Sequence, residues 1–169
     1  MPAAITHNEF SNKLNIKNKT DIFYFFSQSH DYFYYNYNKK IRSFGHTCHT
    51  KNTKEFIMNI INYIKDNNLA NNEDCISYLY GVLSHYILDS TTHPFIFYYA
   101  GLDKKTHRTI EQTIDTFYSR KPYKIIKIKY SKELINCINY AYEKTYNFKN
   151  AATIIKRSSI EAKPLLYFK

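Results

Sequence analysis

Glycine and proline are scarce and widely spaced in this chain, with 3 Gly and 4 Pro among 169 residues. A β-sandwich or β-barrel needs a turn signal about every 8–12 residues, and these two residue types supply most such signals. Hydrophobic residues make up 44% of the chain and charged residues 22%, which excludes a disordered protein. The sequence therefore predicts an all-α fold, a compact multi-helix domain over residues 1–169.

Apolar residues at helical spacing and nearby capping residues place the individual helices. We predict helices over residues 3–15, 54–69, 71–92, 104–118, 132–146 and 151–162. The third of these is expected to end near Thr92 because Pro94 follows. Residues 21–26 and 32–37 are aromatic runs that fit either a helix or a strand, and residues 125–130 fit a short strand or an extended connection.

Cysteine usage and the N-terminal sequence bear on the cellular compartment. Cys48, Cys75 and Cys137 are an odd number without C-x-x-C spacing, which supports neither a disulfide framework nor a cysteine zinc knuckle. The N-terminus lacks a basic region followed by an apolar one, and no window of 18 apolar residues occurs. These features predict a soluble, cytoplasmic protein without stable membrane insertion.

Positive charge is concentrated in the C-terminal part of the chain. The whole sequence has 24 Lys and Arg against 14 Asp and Glu, but residues 119–169 hold half of the basic residues and only Glu133, Glu143 and Glu161 as acids. This basic helical part is a candidate for contact with phosphate, on nucleic acid or on a membrane surface. The alternative is compositional bias, in which a basic helix face binds no ligand.

The histidines form the most informative pattern. His85 and Asp89 are spaced i, i+4 on a predicted helix, and His107 and Glu111 repeat this spacing on the next. Side chains so spaced lie about 5–6 Å apart on one face, which suits two ligands of one metal ion. One such pair is an ordinary helix contact. Two pairs with His93 between them predict a metal site.

Further candidate ligands precede these pairs in the chain. They are His7, Asp31 within the aromatic run, and two imidazoles at i, i+3 in His46-Thr-Cys-His49, of which one or both could bind metal. A carboxylate among aromatic side chains is costly to bury without a partner. His30, next to Asp31, is expected at the surface or as a hydrogen-bond donor to a ligand.

The order of these residues resembles the ligand series of the zinc-dependent phospholipase C family, whose fold and trinuclear site are shared with the single-strand-specific zinc nucleases. The local sequence also resembles bacterial cytoplasmic members, and the resemblance covers residues 1 to about 118. It is carried by Met1-Pro-Ala-x-x-Thr-His7, by the run from Tyr78 through Gly81, His85, Asp89 and His93 to Pro94 and Phe95, and by Thr106-His-Arg-x-Ile-Glu111.

The resemblance implies an all-helical domain with up to three zinc ions. It assigns the first ion to Asp31, His49, His85 and Asp89, the second to His7 and a bridging Asp89, and the third to His93, His107 and Glu111. The amino group of Pro2 would complete the second site once Met1 is removed. Asp21 is the alternative to Asp31, and His46 is the alternative to His49.

The implied function is zinc-dependent hydrolysis of phosphoric diesters, with a hydroxide between two ions as nucleophile and Asp31 orienting or deprotonating it. A phospholipid or a small phosphodiester would suit an aromatic rim that includes Phe95 and Tyr98. Two alternatives remain at this point. One is a nuclease for single-stranded nucleic acid, whose bases would stack on the same rings. The other is a non-catalytic helical binding module with a structural metal site.

Overall fold

The computed structural model describes residues 4–17, 19–118 and 126–167, with side chains through Ala162. No strand occurs in these residues, and the prediction of an all-α fold is confirmed. A 3-10 helix, Ser29–Tyr35, lies between the second and third α-helices. The α-helices are α1 Ala4–Lys13, α2 Asp21–Phe26, α3 Lys39–Thr50, α4 Thr53–Asp66, α5 Glu73–Ala100, α6 Lys104–Tyr118, α7 Lys132–Tyr146 and α8 Ala151–Tyr167.

The structure decides the segments that the sequence left ambiguous. The two aromatic runs are helical, one as α2 and the other as the 3-10 helix. Residues 126–130 have no regular structure, so the short strand is wrong there, and Ile125 lies outside the described residues. Helix α3 was not predicted, although Ile41, Phe44 and Cys48 lie at helical spacing along it and pack at the apolar core.

Helix α5 is longer than predicted. It has 28 residues in all and runs through Pro94 to end at Ala100. Pro94 removes one backbone donor, the one that would bond to the carbonyl of Ser90, and the helix continues on both sides of it. Thr91 and Thr92 donate their hydroxyls to the carbonyl of Leu88, at 2.9 and 2.8 Å. The helix ends at Gly101, whose φ of +54° favours glycine. The predicted end near Thr92 is therefore wrong, and His93 lies inside the helix.

Two helix pairs form the apolar core. Helix α4 packs against α7, and α2 packs against α5. Phe56 and Ile60 of α4 and Ile138 of α7 are fully buried at the first contact. The 3-10 helix lies against α3 and α8 and adds Tyr32 and Phe33 to the same cluster.

Helices α1 and α6 pack against α5 and against each other, away from this apolar core. The buried residues of α1 are Ala4, His7 and Ser11, and those of α6 are Glu111 and Asp115. Buried polar groups need hydrogen-bond partners or a bound ion. This polar layer of α1, α6 and the facing side of α5 is where the fold places its charged interior. Within the described residues, no helix is long and apolar enough to cross a membrane.

Gly81 allows α2 and α5 to approach closely, and it provides a test of this packing. An added Cβ would lie 2.7 Å from the carbonyl oxygen of Phe23 and 2.8 Å from Cβ of Phe26. Gly81→Ala should therefore destabilise the protein by about 1–3 kcal/mol through overpacking, although Ala favours a helix by about 1 kcal/mol over Gly. Denaturant unfolding measures the change, with Ser90→Ala on the exposed side of α5 as the control. A stability gain in Gly81→Ala would contradict the close contact.

Candidate metal centre

Continuation of α5 through Pro94 places His85, Asp89 and His93 at i, i+4 and i+8, on one face of a single helix. Helices α1 and α6 contribute ligands beside this face of α5, and the 3-10 helix and α3 contribute Asp31 and His49. All eight predicted ligands line one cavity of about 810 Å³, namely His7, Asp31, His49, His85, Asp89, His93, His107 and Glu111. They come from five different helical elements, which the fold brings together.

These residues form three groups of possible metal ligands, each with donor atoms within 4.8 Å of one another. The first group comprises Asp31, His49 and His85. His49 Nε2 lies 2.9 Å from Asp31 Oδ1 and 3.4 Å from His85 Nε2. Asp31 is buried, and the ring of His85 is almost fully enclosed. The three donor atoms thus converge on one point inside the protein.

Asp89 connects this first group with the second, which comprises His7, His85 and Asp89. Its Oδ2 lies 3.3 Å from His85 Nε2 and 3.8 Å from His49 Nε2. Its Oδ1 lies 3.2 Å from His7 Nε2. The two carboxylate oxygens therefore face different histidines, which is the arrangement required of a carboxylate that bridges two ions.

The third group comprises His93, His107 and Glu111. Glu111 Oε1 lies 3.2 Å from His107 Nε2 and 3.7 Å from His93 Nε2. The rings of the two histidines are 5.4 Å apart. This group joins the C-terminal half of α5 to α6 and is more exposed than the other two.

Backbone carbonyls fix the tautomer of three of the imidazoles. The Nδ1–H of His49 donates to Gly45 O at 2.7 Å, that of His85 to Ser27 O at 3.1 Å, and that of His93 to Asp89 O at 2.8 Å. In the neutral ring, Nε2 then carries a lone pair, and each of these lone pairs points toward a carboxylate. Two electron-rich groups face each other in this way only if a proton or a metal ion lies between them.

Zinc fits this donor set. Two ligands bound to a tetrahedral zinc at about 2.0–2.1 Å lie about 3.3 Å apart, close to the contacts of Asp89 with His7 and His85. Zinc prefers imidazole and carboxylate ligands, and its histidine ligands usually donate the other ring N–H to a carbonyl or carboxylate. Buried Asp31 Oδ2 and His7 Nδ1 also have no hydrogen-bond partner among the described residues.

Electrostatics within the cluster distribute protons unevenly. Burial alone would lower the pKa of His49, but the hydrogen bond and charge of Asp31 outweigh it and raise the pKa to about 9. Burial lowers the pKa of His85 to about 4. Burial opposes ionisation of Asp89, yet the neighbouring His85 and His7 hold its pKa well below the ordinary value. Burial alone would also lower the pKa of His7, but the hydrogen bond and charge of Asp89 outweigh it and raise the pKa. The cluster without metal therefore favours protonation of His49 and His7, in the place of a bound cation.

The alternative ligands lie in less suitable positions. His46 is exposed on α3, whereas His49 reaches Asp31. Asp21 is exposed in the first turn of α2 and belongs to none of the three groups. Pro2 lies outside the described residues. The expectation that His30 is at the surface is wrong, because it is buried with Nδ1 2.7 Å from the hydroxyl of Tyr142.

Two supporting residues did not appear in the sequence analysis. Asp115, one turn after Glu111 on α6, accepts hydrogen bonds from the backbone N–H and the hydroxyl of Thr6, at 2.9 and 2.7 Å. Gln28 donates to the carbonyl of Ala4 at 2.9 Å. Both hold the first turn of α1, which carries His7. Their partners are more than 20 residues away along the chain, so local spacing gives no signal for them.

The sequence model of a protein family described as zinc-dependent phospholipase C matches residues 2–158. The chain belongs to the zinc-dependent phospholipase C family. The match extends beyond the metal motifs through α7 and into the first half of α8. No curated protein and no solved structure shows a significant match to this phospholipase C family member.

The raised pKa of His49 gives this phospholipase C family member a pH-dependent zinc affinity. His49 holds its proton below about pH 9, and zinc binding must displace it. Zinc uptake at pH 7 should therefore release at least one proton, and the affinity should rise by about tenfold per pH unit until about pH 9. Calorimetric titration in two buffers of different ionisation enthalpy measures the release. His46→Gln should leave it unchanged, whereas zinc uptake without proton release would contradict the site.

Asp115 provides a second test, because it acts on the metal site through α1. Asp115→Ala leaves the amide of Thr6 without its acceptor, so His7 is held less firmly. The zinc affinity should fall by about 10–100-fold, the usual effect of removing a supporting partner. Titration against a competing chelator measures the affinity, with the exposed Asp66→Ala as the control. Equal affinities in both variants would show that Asp115 does not position His7.

Proposed function

We propose that the chain is a zinc-dependent hydrolase of phosphoric diesters that acts in the manner of a phospholipase C. The observation that carries the proposal is the junction at Asp89, where one carboxylate faces two histidine groups. A third histidine–carboxylate group lies in the same cavity. Closely spaced divalent ions suit a phosphodiester because they act on both the attacking and the leaving oxygens.

The residues are proposed to hold up to three zinc ions, with His85, which belongs to two of the groups, assigned to the first ion. Asp31, His49, His85 and Asp89 would hold the first ion, His7 and Asp89 the second, and His93, His107 and Glu111 the third. The amino group of Pro2 is proposed as a further ligand of the second. Zinc bound here would supply a water whose pKa falls from about 15.7 toward about 7, and it would polarise the phosphoryl group.

Asp31 is proposed to orient and deprotonate the attacking water. Its Oδ1 is engaged by His49, while Oδ2 has no hydrogen-bond partner among the described residues. A buried carboxylate oxygen that faces a polar cavity is an acceptor for a proton at that position. Because Asp31 is on a 3-10 helix whose residues are largely buried, this oxygen is held in place.

A nucleophilic cysteine is a poor alternative to this chemistry. Cys48 lines the cavity, but burial raises the pKa of its thiol well above the ordinary value. The thiolate is the reactive form, so Cys48 stays protonated and weakly nucleophilic at neutral pH.

The cavity suits a substrate with both a phosphate and an apolar part. Leu88, Phe97 and Leu102 provide apolar lining, and the cations Lys104 and Arg108 also line the cavity. This combination favours a phospholipid or a similar diester. The rings of Phe95 and Tyr98 are exposed and do not belong to the lining. Their proposed role in substrate binding is thus at the outer surface, and Phe97 takes the inner position.

Asp89→Asn tests the junction. The amide removes the charge that serves two groups, so zinc content should fall and turnover should drop by more than about 100-fold, beyond the effect of losing a mere supporting residue. Elemental analysis and a diester hydrolysis assay measure the two effects. Lys156→Ala on the exposed face of α8 should keep full zinc content and turnover. Equal losses in both variants would contradict the assignment.

A panel of substrates tests the chemical class. Zinc-loaded protein should hydrolyse a small water-soluble phosphodiester, and it should release phosphocholine from phosphatidylcholine faster. Phosphate-containing products are quantified after incubation with each substrate, with single-stranded DNA as a third arm. Cleavage of the DNA alone would replace the proposed substrate class with nucleic acid. Zinc binding without hydrolysis of any of the three substrates would refute the proposed enzymatic activity. It would instead support a binding module that the metal stabilises.

A further inference from the structure

The end of α5 carries large apolar side chains that the protein leaves uncovered. We call this surface the aromatic patch, and it consists of Phe95, Tyr98, Tyr99 and Leu102. Their exposed fractions are 56%, 82%, 62% and 98%. The ring centroids of Phe95 and Tyr99 are 4.8 Å apart, and those of Tyr98 and Tyr99 are 5.0 Å apart. Contiguous exposed apolar groups of this kind mark interaction sites.

The aromatic patch adjoins the entrance to the metal cavity. Leu102 belongs both to the patch and to the cavity lining. Phe97, in the same turn of α5, lines the cavity with its ring centroid 5.0 Å from that of His107. A partner that covers the patch therefore lies over the entrance beside the third ligand group.

Cations follow the aromatic patch directly in the chain. Lys104, Lys105 and Arg108 are exposed in the first turns of α6. The nearby acid, Asp103, is occupied in capping α6, since it accepts hydrogen bonds from the backbone N–H groups of Lys105 and Thr106. Asp103 keeps its negative charge, so three cations lie beside one acid and the surface around the patch has a net positive charge.

Exposed aromatic rings beside lysine and arginine are typical of a surface that inserts shallowly into the headgroup region of a bilayer. Tyrosine suits this position because its ring is apolar and its hydroxyl remains hydrated. A second copy of the chain is less suitable as the partner. It would bring the same cations together on a protein whose net charge is already +10.

We propose that the aromatic patch and its cations dock the protein on a bilayer surface that contains anionic phospholipid. Docking brings the cavity entrance to the level of the lipid headgroups. The choice of a lipid surface rests on the proposed phospholipase function, but the binding step is measured separately from hydrolysis.

Cosedimentation of the zinc-loaded full chain with vesicles tests the proposal. Phosphatidylcholine vesicles with and without a minority of phosphatidylserine are compared at low temperature, before hydrolysis becomes measurable. Wild-type protein should partition more strongly onto the vesicles that contain phosphatidylserine. Added salt should reduce this preference, because surface charges are screened. No preference for phosphatidylserine would overturn the role of the cations.

Two double variants with matched controls locate the surface. Tyr98→Ser with Tyr99→Ser should weaken partitioning by about tenfold or more, whereas Tyr37→Ser with Phe117→Ser changes exposed aromatic residues elsewhere and should not. Lys104→Gln with Lys105→Gln should weaken it by about 25-fold, or fivefold per cation. Lys132→Gln with Lys156→Gln removes the same charge from α7 and α8 and should have a smaller effect. Equal losses in a variant and its control would overturn the proposal.

Two further measurements keep the outcomes distinct. Self-association of the free chain that is lost in Tyr98→Ser with Tyr99→Ser would assign the patch to a second copy and overturn lipid docking. Hydrolysis of a soluble diester by wild-type protein separates binding from function. Hydrolysis without vesicle partitioning refutes docking alone, whereas partitioning without hydrolysis supports docking and refutes the proposed enzyme. Thermal unfolding of each variant shows that its fold is retained.

Discussion

The interior of this protein contains imidazole lone pairs that face carboxylate oxygens, and such a pairing requires a cation. Carbonyl groups of the backbone fix the rings of His49, His85 and His93 in the orientation that creates this requirement. Asp89 adds to this requirement for a cation, because its two carboxylate oxygens contact histidines from different helices. The packing of α1, α3 and the 3-10 helix around α5 brings these carboxylates and imidazoles together. A cation between them, zinc in the proposed enzyme or a proton in its absence, balances their charge.

Local periodicity was sufficient to predict the parts of the site that lie on one helix. The pairs His85 with Asp89 and His107 with Glu111 follow from the helical repeat, and the structure gives them the expected proximity. Asp31 and His49 were candidates from their residue types, but their assignment to one ion came from the resemblance to the family, because nothing in the local sequence shows that the two side chains meet at 2.9 Å.

The errors and omissions have identifiable physical causes. Pro94 suggested a helix end, but the loss of a single backbone donor was outweighed by the continued burial of Ile96 and Ala100. The contact between Asp115 and Thr6 spans 109 positions and joins two helix ends. Its existence depends on how α1 and α6 pack, which a local pattern does not encode. The burial of His30 against Tyr142 has the same origin.

The polar layer divides the molecule into two parts whose stabilities respond to different conditions. Around α4 and α7, burial of apolar surface provides the free energy of packing, which changes little with pH and is strengthened by salting-out ions. In α6, the buried residues are the acids Glu111 and Asp115. The attachment of α6 to α1 therefore depends on buried polar contacts, such as the hydrogen bonds that Thr6 donates to Asp115, as well as on apolar burial. The candidate metal site thus lies in the part of the protein that polar contacts hold together, and substitutions there can loosen the site while the packing of α4 against α7 is retained.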